Sequence, residues 1–491
     1  MSAFSQFDDD AVMVEVPETI AEAAGVAHAP ETRAEAGVAH VPDVAIAITS
    51  ERAQVAHSDE HTQMAMVSLK APVASVSVSR PPLQTVVVCD RSGSMSGPKI
   101  KMMKETLSFL VAKGMEPGDS LSLVSFDNQV EVKLPLTKMD SAGRRAAEQA
   151  IACLAPGGTT NLSGGLLQGI DLLQQAPPAE RVTRAVLLFT DGKANVGITD
   201  PDGLISAVRG VQAAASSPAT IFTFGFGADH QEELLRAIAG RTNGLYYFID
   251  KTDAIPQAFA DCLGGLISVV AQNATLTLQA APSAAKLGKL HCDAYVNDVA
   301  ADGSQAIIKL GDLYSEDEKD LLLQLKLPAL SEPIDALQGT ISASLRYFCV
   351  QGTKMVEVST ELGIARPLKT PEGQPIVLHL EEQRMRVEVA AAMEQARKLA
   401  DAGRIDQGRA TLLRAVAATE ASPAWASPQV QQLHQDLQRL ELGYENECVY
   451  RSAGAKMTSM TAECHMQQRS NYETCGVYEK AAKRAYKSSW R

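Results

Sequence analysis

The sequence predicts an α/β protein: a doubly wound, mostly parallel sheet, followed by a β-sandwich and a C-terminal helical region. Three observations point there. Between residues 83 and 268, strand-like and helix-like segments alternate, which is the pattern of a sheet with helices on both faces. Two of the strand segments, Thr85-Val-Val-Val-Cys-Asp90 and Ala185-Val-Leu-Leu-Phe-Thr190, are continuous apolar runs that lead into a carboxylate (Asp90 and Asp191), as buried parallel strands do. From residue 269 the alternation gives way to successive strands punctuated by Pro and Gly, and from residue 383 to apolar residues at helical spacing.

Taken in order, residues 1–61 read as a disordered acidic tail carrying a short repeat, Ala24–Pro30 and again Ala36–Pro42, with an echo at Gln54–His57. Acidic, Ala- and Pro-bearing and without an aromatic residue after Phe7, this stretch buries too little surface to offset its ordering entropy. Residues 62–82 hold two strand segments, Met64–Leu69 and Val73–Val78, expected to join the sandwich, so that the α/β unit at 83–268 is an insertion into it. Within that unit, Pro98 opens a helix whose Ile100, Met103, Leu107, Leu110 and Val111 share one face. Strands at Ser120–Phe126 and Val130–Leu136 and helices near Ala142–Leu154 and Leu162–Gln174 follow. After the second Asp-terminated strand come a helix from Asp202, a strand Thr220–Phe226, a helix from Gln231, a strand Leu245–Ile249 and a helix from Thr252. Residues 269–370 form the sandwich, with strands at Ala274–Gln279, Leu290–Val296, Gln305–Leu310, Asp320–Leu327, Gly339–Phe348 and Lys354–Ser359. Residues 383–443 form a helical hairpin region: Met385, Val389, Ala392, Ala396 and Leu399 step by four and three, Asp401-Ala-Gly403 turns the chain, and Gln407–Ala418 packs back. Residues 444–491 read as a mostly unstructured basic tail.

Composition narrows the function. The chain has 491 residues, 45% apolar and 21% charged, with no apolar run near the roughly 18 residues a membrane span needs. Its first residues have neither a basic nor an apolar leader segment, so a cytoplasmic protein is expected. Residues 1–60 hold twelve Asp and Glu against Arg33 and Arg52, a net charge of −10 out of −13 for the whole chain. The remainder is nearly neutral, and the basic footprint of a nucleic-acid binder is missing. Eight cysteines are spread singly, without a C-x-x-C pair, and read as reduced structural thiols. Neither a nucleic acid nor a membrane is expected as a partner.

The chemistry concentrates at strand C-termini, where open α/β sheets bind ligands. Asp90-Arg91-Ser92-Gly93-Ser94 offers a carboxylate and two hydroxyls on one turn. Pro156-Gly157-Gly158-Thr159-Thr160-Asn161 adds a hydroxyl ahead of a helix, and Phe189-Thr190-Asp191-Gly192 adds a second carboxylate. Two carboxylates and three hydroxyl oxygens are hard donors, suited to Mg²⁺ or Mn²⁺. Enzymatic alternatives fit less well. Gly93–Lys99 lacks the G-K-[ST] ending of a phosphate loop, no G-x-S-x-G elbow surrounds Ser92, Ser94 or Ser163, and no histidine stands in a catalytic context. A metal-assisted hydrolase would look first to His230 as its base.

D-R-S-G-S, G-G-T and F-T-D-G, in this order and on this strand pattern, resemble the von Willebrand factor A domain over about Leu83–Leu266, with Thr223–Asp229 and Gly244–Phe248 similar to that family's later strands. The resemblance implies a Rossmann-like fold and a metal-ion-dependent adhesion site (MIDAS) made by Asp90, Ser92, Ser94, Thr159 and Asp191, with Thr160 the alternative threonine. In that family three side chains bind the metal directly, others act through water, and the open position takes an acidic residue of a protein partner. Leu310–Asp320 is similar to the β-rich part that follows the domain in an intracellular branch. Met385–Thr419 resembles that branch's helical tail, the VWA-associated intein-like-protein (Vwaint) region, which occurs beside intein-like and ubiquitin-ligase modules. The chain lacks the paired Cys/His spacing of a RING. The expectation is therefore a non-enzymatic, Mg²⁺- or Mn²⁺-dependent protein-interaction module. A substrate-recruiting component of a ubiquitin-ligase pathway and a metal-assisted hydrolase are the alternatives.

Overall fold

A computed structural model describes residues 42–74, 80–176, 182–213, 218–227, 229–292 and 294–469. The first strands, β1 (Ala45–Ser50) and β2 (His61–Lys70), pair antiparallel from Ala45↔Lys70 to Ser50↔Ala65. The expected acidic tail therefore does not extend to residue 61. Val44, Ile46, Ile48 and Val55 are buried in the sandwich core, because Val44 to Ser50 alternate small or polar with branched apolar residues and give one face to the interior. Averaged with the acidic residues before it, that alternation is diluted. Val73 is exposed and lies in no strand, and residues 75–79 of the expected second strand fall outside the described residues.

The next six strands, β3 (Leu83–Asp90), β4 (Ser120–Phe126), β5 (Val130–Lys138), β6 (Thr183–Thr190), β7 (Thr220–Phe226) and β8 (Tyr246–Ile249), form one sheet in the order β5-β4-β3-β6-β7-β8. All are parallel except β5 at one edge. The helices α1 (Pro98–Phe109), α2 (Ser141–Ala152), α3 (Leu162–Gln174), α4 (Pro201–Ala213), α5 (Glu232–Arg241) and α6 (Ile255–Leu266) cover its faces. Val87, Leu187 and Phe224 pack beneath α1, α2 and α6, and Val86, Val88, Val186 and Leu188 beneath α3, α4 and α5. Apolar side chains on both faces of β3 and β6 thus dictate two helical layers.

Seven antiparallel strands follow: β9 (Val269–Ala280), β10 (Lys286–His291), β11 (Val296–Val299), β12 (Gln305–Tyr314), β13 (Glu318–Leu327), β14 (Ile334–Cys349) and β15 (Lys354–Arg366). They make two sheets, β1-β2-β13-β10 and β11-β12-β9-β14-β15, which share one core. Since β2 pairs with β13 from His61↔Leu327 to Lys70↔Glu318, the six-stranded α/β unit lies in sequence between two strands of the same sheet.

The helices α7 (Leu378–Asp401), α8 (Ile405–Glu420), α9 (Pro428–Glu441), α10 (Glu447–Val449) and α11 (Ala455–Gln467) complete the described chain. α11 stands where a mostly unstructured tail was expected. Its sequence, AKMTSMTAECHMQ, has no apolar stripe, yet Thr458, Ser459, Met460 and Thr461 are fully buried. A helix enclosed on all sides has no single face to declare in sequence. Met460 joins the core of the α/β unit, and its Sδ accepts a hydrogen bond from the backbone N–H of Phe248 at the edge strand β8 (3.4 Å).

The last turn of α11 binds the three parts together. Lys319 of β13 donates to the Gln467 carbonyl (2.7 Å), and Arg386 of α7 donates to the carbonyls of His465 (2.8 Å) and Asp320 (3.0 Å). Gln467 reaches the Gly244 carbonyl of the α/β unit (3.0 Å), and Arg469 donates to the carbonyls of Asn243 (2.7 Å) and Asp312 (2.8 Å). Cations at a helix C-terminus complement its unsatisfied carbonyls and its dipole. Lys319→Met or Arg386→Met strands those buried acceptors and is expected to lower stability by roughly 1–3 kcal/mol in denaturant unfolding, with protease cleavage opening around α11.

A second tie is titratable. His379, at the start of α7, sits 3.2 Å from Asp320 and 3.1 Å from Glu382. The hydrogen bond to Asp320 raises its pKa to about 9, against the opposing effect of burial. A pKa raised in the folded state contributes stability that is complete below the unfolded value near 6.5 and is lost as pH rises through 9. The thermal midpoint should therefore fall over that window, and His379→Gln should flatten the fall.

Candidate metal centre

The sheet order places β4 and β5 on one side of β3 and β6 to β8 on the other, so the chain reverses its winding between β3 and β6. This is the switch point at which open α/β sheets form a crevice. Asp90 ends β3 and Asp191 follows β6, so both carboxylates stand at its mouth.

Asp90 is wholly buried. Its Oδ1 accepts from the backbone N–H of Ser92 (2.7 Å), and its Oδ2 accepts from the hydroxyl of Thr190 (2.6 Å). Burial pushes its carboxyl up, the Thr190 and Ser92 hydrogen bonds hold it down, and nearby Asp191 adds to the rise. The turn after it is tied from both sides: Arg91 N–H donates to the Phe126 carbonyl (2.8 Å), and Gly157 N–H donates to the Arg91 carbonyl (2.7 Å). The Ser92 and Ser94 hydroxyls lie 3.1 Å apart, and Ser94 donates to Asp191 Oδ1 (2.7 Å). Ser92 is buried and Ser94 exposed, so this row of oxygens runs from the interior to the surface.

The loop before α3 decides between the two threonines. Thr159 is exposed and Thr160 buried. Thr160 N–H donates to Asn195 Oδ1 (2.8 Å), and its carbonyl accepts from the N–H of Asn195 (3.1 Å). A Cβ added to Gly192 would sit 3.3 Å from Thr160 Oγ1 and 3.9 Å from Ser94 Oγ, so these hydroxyls face the same glycine beside Asp191. Of the two threonines, Thr160 is therefore the one whose hydroxyl faces the crevice. The reason is the left-handed Gly158 (φ 69°), after which Thr159 projects outward and Thr160 turns in toward the 190–198 loop.

Two further residues belong to the site. Thr190 locks Asp90, and its place at the end of β6, just before Asp191 in the F-T-D-G run, was a usable signal. Lys99 Nζ lies 2.5 Å from Asp191 Oδ2, a contact that nothing in the sequence marked. The base considered for a hydrolase is committed elsewhere: His230 is buried with Nε2 2.6 Å from the Tyr246 hydroxyl, and burial lowers its pKa to about 3.

The donor set suits a hard cation. Carboxylate and hydroxyl oxygens converge on one crevice, and Asp191 already holds a cationic group. Among the described residues no group of three or more His, Cys, Asp or Glu fits a metal, and the set here instead joins two carboxylates to Ser and Thr hydroxyls. Asp90, Ser92, Ser94, Thr160 and Asp191 are the residues that would hold Mg²⁺ or Mn²⁺ here.

Residues 85–261 match the family model described as the von Willebrand factor type A domain. The chain carries a VWA domain. Among curated proteins it is similar to inter-alpha-trypsin inhibitor heavy chain H1 of Mesocricetus auratus, 33% identical over 164 residues, 32% of this chain and 18% of that protein. It is also similar to the E3 ubiquitin-protein ligase WAV3 of Arabidopsis thaliana, 28% identical over 255 residues, 51% of this chain and 32% of that protein. The chain thus spans less than a third of the length of either relative. A von Willebrand factor type A structure from Catenulispora acidiphila superposes with a TM-score of 0.64 at 19% identity, covering 80% of this chain and 89% of its own. That agreement extends beyond the VWA domain to the added sheets and the C-terminal helices.

The threonine assignment can be checked directly. Thr160→Val should weaken Mn²⁺ binding by about tenfold or more in an electron paramagnetic resonance titration, the loss typical of a removed metal-site partner, whereas Thr159→Val should leave it unchanged.

Proposed function

We propose that the VWA domain of this chain is a divalent-metal-dependent protein-interaction module without catalytic activity of its own. Asp90, Ser92, Ser94, Thr160 and Asp191 hold Mg²⁺ or Mn²⁺, and an acidic side chain of a protein partner completes the site. The single observation that carries this reading is the continuous row of oxygens from Asp90 through Ser92 and Ser94 to Asp191 at the sheet's switch point. VWA domains are commonly interaction modules of this kind. The metal supplies an open position that forms an oriented bond to a carboxylate. The protein's own contribution is to keep its hydroxyls and Asp90 fixed before the partner arrives, through Thr190 and the interlocked loops. No helix among the described residues is long and apolar enough to cross a membrane. We place the protein in the cytoplasm, on its scattered single cysteines, with a protein as its partner rather than a nucleic acid or a membrane.

A second reading draws on the similarity to WAV3, which extends past the VWA domain to half of this chain. In it the module recruits substrates for a ubiquitin ligase whose catalytic part resides on another chain.

Capture of partners on the immobilised chain, in Mg²⁺ and in EDTA, tests the first reading, with Asp90→Ala and Asp191→Ala beside the wild type. Partners lost in EDTA and with both variants are expected. An identical bound set in all conditions would overturn it. Ligase subunits among the EDTA-sensitive partners would favour the second reading.

A further inference from the structure

Lys99 is in an electrostatically awkward place. It occupies the first turn of α1, directly after Pro98, where the helix dipole is positive and disfavours a cation. That turn contains no acidic residue to compensate, whereas the first turn of α5 carries Glu232 and Glu233. What offsets the cost is Asp191. Lys99 Nζ lies 2.5 Å from Asp191 Oδ2 while Asp191 Oδ1 accepts from Ser94, and the Asp191 side chain is 0% exposed against 33% for Lys99. A buried carboxylate without a counter-charge is costly, so a cation is required at Asp191. Two cations crowded on this one carboxylate would repel each other.

We propose that Lys99 is a tethered cation that neutralises Asp191 when the metal is absent and is displaced when the metal binds. The inference rests on the metal-site reading above and adds to it: the metal affinity of this chain is set by competition with its own lysine. The ammonium has somewhere to go. The Lys99 side chain is one-third exposed, and its Nζ lies 4.0 Å from where a Cβ on Gly227 would stand, so solvent is open to it once it leaves Asp191. The exchange keeps the carboxylate neutralised throughout, so the unloaded site does not lose stability while it waits for metal. Release of Lys99 is then a built-in term in the binding equilibrium, as in any linked displacement.

The experiment is a Mn²⁺ titration of the full chain by electron paramagnetic resonance, with thermal unfolding in EDTA and in Mn²⁺, on the wild type, Lys99→Met, Lys99→Arg and Asp191→Ala. The expected result is that Lys99→Met binds Mn²⁺ at least about tenfold more tightly than the wild type, melts below it in EDTA and gains more from Mn²⁺. Lys99→Arg, which keeps the charge, stays near the wild type in both. Equal or weaker Mn²⁺ binding by Lys99→Met overturns the competition while leaving the metal site standing. Absence of Mn²⁺ binding in the wild type and in Lys99→Met alike overturns the metal reading and the competition together. Lys99→Arg guards against a folding defect in the Met variant, since it retains the ion pair.

Discussion

Everything in this molecule hangs on the capping of one helix end. The carbonyls at the C-terminus of α11 are buried, and a buried acceptor must find a donor. The donors come from two other parts of the chain: Lys319 from the sandwich and Arg386 from α7, two of the largest fully buried side chains in the protein. Arg469, just beyond the helix, reaches back to the α/β unit and to β12 and lies over the Tyr314 ring at 4.3 Å. A charge buried for one structural purpose thereby fixes three folded parts in a single arrangement. Burying these cations is acceptable only because each meets several acceptors, and removal of any acceptor leaves an uncompensated charge.

That arrangement determines which parts of the VWA domain remain available. α11 closes the β8 edge of the sheet, where Met460 accepts from Phe248, and so removes an exposed strand edge. The opposite edge is the antiparallel β5. The crevice at the switch point between β3 and β6 is left facing outward, with Ser94 and Thr159 exposed at its rim. Its precision comes from loops that hold one another: the turn after β3, the loop before α3 and the loop after β6 exchange backbone hydrogen bonds at Arg91, Gly157, Thr160 and Asn195. Three separate stretches of chain therefore place five oxygen-bearing side chains at one crevice, a condition for strong cation binding that no single stretch could meet.

Electrostatics at the crevice follow from the same burial. Asp90 and Asp191 are both enclosed, and burial together with the nearby Asp191 raises the cost of ionising Asp90. Thr190 and the Ser92 backbone amide support Asp90, while Lys99 supports Asp191. The two carboxylates thus have different neighbours and different tasks. Asp90 is held by neutral hydrogen-bond donors, whereas Asp191 faces the Lys99 ammonium.

The sequence by itself determined the sheet and set Asp90, Ser92, Ser94 and Asp191 at one end of it. Unbroken apolar runs ending at Asp90 and before Asp191 required buried parallel strands, and the hydroxyls of Ser92 and Ser94 were fixed in position by the spacing of a single tight turn. It also marked the sandwich strands and the first helical hairpin, whose periods of two and of three to four residues are local properties. What it left open depended on contacts between distant segments. Thr160 rather than Thr159 turns inward after the left-handed Gly158, and Asn195, thirty-five residues on, takes its amide. β1 was lost in the acidic composition around it, and α11 showed no apolar stripe because three different surfaces enclose it. Lys99 gave no signal at all, since its meaning lies wholly in a carboxylate ninety-two residues away. Periodicity records what one neighbouring layer demands of a segment. Where a residue answers to several partners at once, only the tertiary structure says which of them prevails.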